Sequence, residues 1–84
     1  MVELIAVYER LVEEEDELLN KIEICEGCIA GIFEYLVSKK DTHIGESILT
    51  AVHTIVKDLQ TELLHLRLEK SLLADRIKLA KNSG

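Results

Sequence analysis

Apolar residues recur along this chain at alternating intervals of three and four, in two ladders separated by a short polar break. The first ladder is Leu4, Tyr8, Leu11, Glu15, Leu18, Ile22, Cys25, Ile29, Ile32, Leu36. The second is Leu49, Val52, Val56, Leu59, Leu63, Leu66, Lys70, Leu73, Ile77, Ala80. This spacing belongs to long helices that bury one seam. It predicts a first helix over about residues 2–39, a turn over about 40–45 and a second helix over about 46–81. The cluster Asp41-Thr42-His43-Ile44-Gly45 supplies the turn residues, and Asp41 or Thr42 can cap the second helix by accepting a bond from its free amides. Cations close each helix: Lys39 and Lys40 the first, Arg76, Lys78 and Lys81 the second, where they suit the carbonyl end of the dipole. Asn82-Ser83-Gly84 reads as a stop.

The predicted fold is therefore all-α: a long antiparallel two-helix hairpin. Residues whose numbers add to about 85 face each other in one register, matching Ile29 with Val56, Ile22 with Leu63 and Tyr8 with Ile77. A register of 88 fits as well, because heptads repeat. Each ladder carries one charge, of opposite sign, and either register lets Glu15 and Lys70 meet inside the hairpin. Such a pair stabilises modestly and helps to specify register; unpaired, each would lay its stem on the seam with its head in water.

A hairpin covers one stripe of each helix and leaves others open. Ile5, Val12, Leu19 and Phe33 widen the first seam, giving the three apolar positions per heptad that suit a bundle of more than two helices. Ile48 and Ile55 flank the second seam. Leu64, Leu68, Leu72 and Leu79 recur on the far side of the second helix, and contiguous exposed apolar surface of that size marks an interface. Gly27 and Gly31, with Ile24 and Tyr35 beside them, form a shallow notch where another backbone can come close, at a cost of ~1 kcal/mol per glycine relative to alanine in mid-helix. Two helices cannot enclose a core, and a chain of 84 residues is short of buried surface on its own. The expectation is a homodimeric four-helix bundle or a complex with a helical partner.

The formal net charge is −6, and residues 1–40 hold ten acids against four bases. That balance argues against a nucleic-acid partner, which needs a basic footprint, and against adhesion to an anionic membrane. No stretch approaches the roughly 18 continuous apolar residues of a membrane span. No basic, cleavable leader is visible at the start, so the expected location is cytoplasmic, with its cysteines as thiols. Cys25-Glu26-Gly27-Cys28 has redox spacing, but it falls deep inside a helix instead of opening one, and a zinc site lacks further ligands. Glu62-Leu63-Leu64-His65 has the di-iron Glu-x-x-His spacing, yet Leu63 and Leu66 own the seam and turn Glu62 to its edge and His65 outward. No catalytic triad, phosphate loop or inward carboxylate pair is present. The chain reads as a non-enzyme with no cofactor.

The acidic first helix, the polar turn Lys39-Lys40-Asp41-Thr42 and the run Ser47-Ile48-Leu49-Thr50-Ala51-Val52-His53-Thr54-Ile55-Val56 resemble the small helical-hairpin co-chaperones of type III secretion needle subunits. The resemblance implies a cytoplasmic protein that works with a second chaperone to hold an aggregation-prone helical subunit monomeric. The long second helix and the Cys25/Cys28 pair depart from that pattern. The alternative is a homodimeric four-helix-bundle regulator, bacterial or phage, that docks on a transcription or replication protein.

Overall fold

A computed structural model describes residues 1–40 and 43–83. Helix α1 runs Val2–Lys39 and helix α2 runs His43–Ser83. They pack against each other along their length as an antiparallel hairpin about 66 Å long. At ~1.5 Å per residue, helices of 38 and 41 residues account for that length without a bend. The proposed caps, Asp41 and Thr42, lie outside the described residues. Glu3 in the first turn of α1 and Lys39 in its last complement the helix dipole, as Glu46 and Lys81 do in α2.

α1 ends at Lys40, which adopts the left-handed conformation (φ 57°, ψ 30°) and donates its N–H to the Val37 carbonyl at 3.4 Å. Glycine favours this position because it has no Cβ to clash there. α2 starts three residues earlier than the ladder predicts, drawing Ile44 and Gly45 out of the turn and into the helix. Gly45 is buried against Leu36: a Cβ built on it would meet Leu36 Cδ1 at 2.5 Å. Its missing side chain lets the first turn of α2 lie directly on α1. At the other end α2 continues to Ser83, past the expected stop near 81; no proline or glycine occurs between Gly45 and Gly84.

The seam is made by the ladder residues. Leu11, Leu18 and Ile22 of α1 and Leu63, Leu66 and Leu73 of α2 form one buried cluster, with Leu4, Tyr8, Leu59 and Ile77 packed against it. Val56 is buried nearer the turn. Ala80, the last rung of the second ladder, is exposed, because only the opening residues of α1 lie level with it. Ala74 was not on the ladder, yet it is half-buried beside Leu73. Three contacts define the register: Glu15 with Lys70, Glu15 with Arg67, and Leu36 with Gly45. The residue numbers in these pairs add to between 81 and 85, so the helices sit at the lower predicted register, reaching one layer below it, and not at 88.

The seam carries little of the apolar surface. Seven hydrophobic residues are buried, whereas sixteen large ones are exposed among the described residues. The accessible surface is 6544 Å², where a compact monomer of 9.5 kDa exposes about 5,000 Å². The hairpin is thus about 1,500 Å² over-exposed, which is surface a second molecule can cover.

Candidate functional site

The polar centre of the seam is an ion triad. The Glu15 carboxylate accepts a hydrogen bond from Lys70 Nζ at 2.8 Å on Oε1 and one from Arg67 Nε at 2.9 Å on Oε2. The Glu15 side chain is 13% exposed, and Val12 and Tyr8 of the same helix are half-buried beside it. Hydrogen bonds from Lys70 and then Arg67 hold the Glu15 carboxyl below its ordinary pKa. The same Glu15 bond raises the Lys70 ammonium. Both shifts favour the charged forms, so the triad is a structural latch with no proton to trade near neutrality. Arg67 escaped the sequence reading. Its signal was its place three residues before Lys70, on the same side of α2.

On either side of the seam lies a broad face. The first is a long groove. Near the open end it is floored by Leu11 and Leu73 and bordered by Val7, Arg10, Glu14, Glu69, Leu72 and Arg76. In the middle Glu14, Glu17, Glu62 and Glu69 surround it with Lys21, His65, Leu68 and Leu72. Toward the turn the same side of both helices, reached by heptad steps from Glu14 and Glu62, carries Gly31, Tyr35, Ile44 and Ile48. The turn end is therefore largely apolar, the middle sets four carboxylates against one lysine, and the open end adds Arg10 and Arg76. Lys39 caps the turn end, its ammonium 5.7 Å from the Tyr35 ring centroid, a cation–π contact.

The second face lies across the seam. At the turn end it shows Phe33, Val37, Lys40, Gly45, Glu46 and Leu49 around a shallow depression. Heptad steps from Phe33 extend it along α1 through Glu26, Leu19, Val12 and Ile5. Steps from Glu46 extend it along α2 through Arg67 and Ala74.

The residues singled out in the sequence divide between these surfaces. Leu64, Leu68, Leu72 and Leu79 are all exposed, at 55–68%. They do not form one straight stripe. At 100° per residue a four-residue step gains 40°, so the row winds from Leu64 beside the second face, over Leu68, to Leu72 in the groove. Ile24, Gly31 and Tyr35 belong to the groove side; Ile24 and Tyr35 are exposed, and Gly31 borders the depression with Tyr35. Gly27 faces away from the seam. A Cβ on Gly27 or Gly31 would meet nothing within 4 Å, so the hairpin itself requires neither glycine. The close approach that does need glycine is at Gly45, and its signal was a glycine level with a seam leucine.

Cys25 is half-buried in the seam and Cys28 exposed, and both are free thiols. Glu62 and His65 share the groove wall. Among the described residues no group of three His, Cys, Asp or Glu side chains could hold a metal ion. No described helix is long and apolar enough to cross a membrane. Comparison with known protein families, with curated proteins and with solved structures found no match. The chain agrees with the helical-hairpin co-chaperones in architecture alone.

Proposed function

We propose that this chain is a non-enzymatic module that binds an amphipathic helix in its groove, as a small cytoplasmic chaperone or adaptor does. The observation that carries the reading is the groove's pattern: an apolar floor and turn end, four carboxylates against Lys21 in the middle, and Arg10 and Arg76 at the open end. A helix that fits has apolar residues at helical spacing and lysines or arginines near its centre. Apolar contact supplies affinity in such helix-in-groove binding, and the charges set register and exclude acidic partners. A co-chaperone of the type III secretion kind is the member of this class that the hairpin layout and acidic first helix suit. The alternative, a regulator docking on a transcription or replication protein, uses the same groove with a different client. Neighbouring genes separate the two: secretion-apparatus genes favour the first and a phage early region the second.

The test is co-purification from the native host with a photo-crosslinking residue in place of the exposed groove residue Tyr35. The expected product is a crosslink to a helical segment bearing basic residues at its centre, abolished by Leu72→Glu with Ile48→Glu and retained by Leu64→Glu. A captured segment that is acidic or non-helical, or capture indifferent to the groove variants, overturns the reading.

A further inference from the structure

The face opposite the groove is split by charge along its length. On α1 its positions combine Ile5, Val12, Leu19 and Phe33 with Glu9, Asp16, Glu23 and Glu26, and no base intervenes before Lys40. On α2 they carry Lys57, Arg67, Lys78 and Lys81, and the single acid is Glu46, at the turn end. One edge of the face is thus acidic and apolar, the other basic. At the turn end the signs exchange, and they remain opposite.

This pattern complements itself. When two copies of a face stack about a two-fold axis, the axis runs either along the hairpin or across it. An axis across it lays α1 on α1 and α2 on α2, setting acids against acids and bases against bases. An axis along it lays α1 of each copy on α2 of the other, setting the acidic edge of one against the basic edge of the other, with Asp16 level with Arg67. Like charges opposed across an interface carry a penalty that the lengthwise arrangement avoids. The groove face offers no such match. Its α2 side carries Asp58, Glu62 and Glu69 against Arg76, and its α1 side Glu3, Glu14 and Glu17 against Arg10 and Lys21.

We propose that the charge-split face is a homodimer interface, in which two hairpins pack around a lengthwise two-fold axis as an antiparallel four-helix bundle. The occupant is a second copy of this chain. A lengthwise axis keeps every residue at its own height. The observed register therefore brings Leu19 of one copy level with Leu64 of the other, and Glu26 level with Lys57. Leu64 is 67% and Phe33 58% exposed in the single hairpin, and this packing covers both. A face 66 Å long and 14 Å wide between Cα atoms has a footprint of about 900 Å² per copy, against roughly 800 Å² per partner in a standard stable interface. The dimer rests on the hairpin alone and leaves the groove of each copy open, so it stands or falls separately from the helix-binding reading.

Single-cysteine chains decide it. Leu19→Cys and Leu64→Cys are made separately in a Cys25→Ser, Cys28→Ser background, so that no chain can bridge within itself. Under mild oxidation the mixture of the two variants is expected to give a covalent dimer, and each variant alone is not. Sedimentation equilibrium of the unaltered protein should show a dimer at about 100 μM, as a Kd of roughly 10 μM or tighter requires. Leu64→Glu should weaken it at least tenfold, and added salt should weaken it further. A monomer at that concentration overturns the proposal. So does crosslinking in the Leu19→Cys sample alone, which is the signature of the axis lying across the hairpin.

Discussion

The two halves of the seam are built to different standards. In the half away from the turn, six leucine and isoleucine side chains form a buried cluster and the Glu15 triad locks the helices beside it. In the half near the turn, Cys25, Ile29, Ile32, Leu36, Leu49 and Val52 occupy the same ladder positions but are only half-buried, and Val56 and Gly45 alone are buried. The ladder is equally regular in both. Side-chain type does not account for the difference, since Leu36 and Leu49 are half-buried while Val56, at 4%, is the most buried of the hydrophobic residues. Periodicity chooses which side chains face the partner helix, and how completely each is covered depends on what packs around it.

The sharpest way to break this contrast is to truncate one rung in each half. Leu18→Ala should destabilise by about 2–3 kcal/mol, near the low end for a buried leucine because no atom here is sealed by a third layer, and Ile32→Ala by about 1 kcal/mol. Chemical denaturation followed by circular dichroism measures both, and equal losses would erase the distinction. Native-state hydrogen exchange should show the same gradient, with amides of residues 27–36 and 46–53 exchanging well before those of 11–22 and 62–73.

The triad makes the next largest difference. Glu15→Gln leaves Lys70 and Arg67 without their shared anion and should lower the melting midpoint by several degrees at pH 7. The sign of the pH effect follows from the depressed Glu15 pKa. The stabilisation is complete above the unfolded carboxylate's value of about 4.3 and is lost as pH falls through the lower folded value. The gap between Glu15→Gln and the unaltered protein should therefore close on acidification below about pH 4. A gap that persists there would show that Gln disrupts packing instead of removing a charge.

A smaller effect sharpens the role of the glycines. Gly27→Ala and Gly31→Ala meet open space, so each should stabilise the isolated hairpin by up to ~1 kcal/mol through helix propensity. If Gly31 makes room for a bound helix, Gly31→Ala will weaken partner binding even as it raises the melting midpoint, while Gly27→Ala, facing away from the groove, will not. Parallel changes in both variants would assign the glycines to backbone flexibility alone. The smallest effect is at the turn, where Lys40→Gly relieves a left-handed non-glycine residue and should add about 0.5–1 kcal/mol.

Alternation of threes and fours by itself determined two long helices, their return near residue 40 and the identity of nearly every seam residue, because an α-helix fixes the angular position of each side chain from its number. The opposite signs of Glu15 and Lys70 made their meeting legible for the same reason. Only the tertiary structure decided how the helices slide along each other. Heptads look alike, so both registers satisfy the ladder, and the choice falls to contacts between particular shapes: Leu36 seated over the bare backbone of Gly45, and Glu15 held between Arg67 and Lys70. The winding of Leu64, Leu68 and Leu72 across two faces also needed the second helix in place. Until α1 stands beside α2 there is no groove, no opposite face, and no sense in which one leucine borders one or the other.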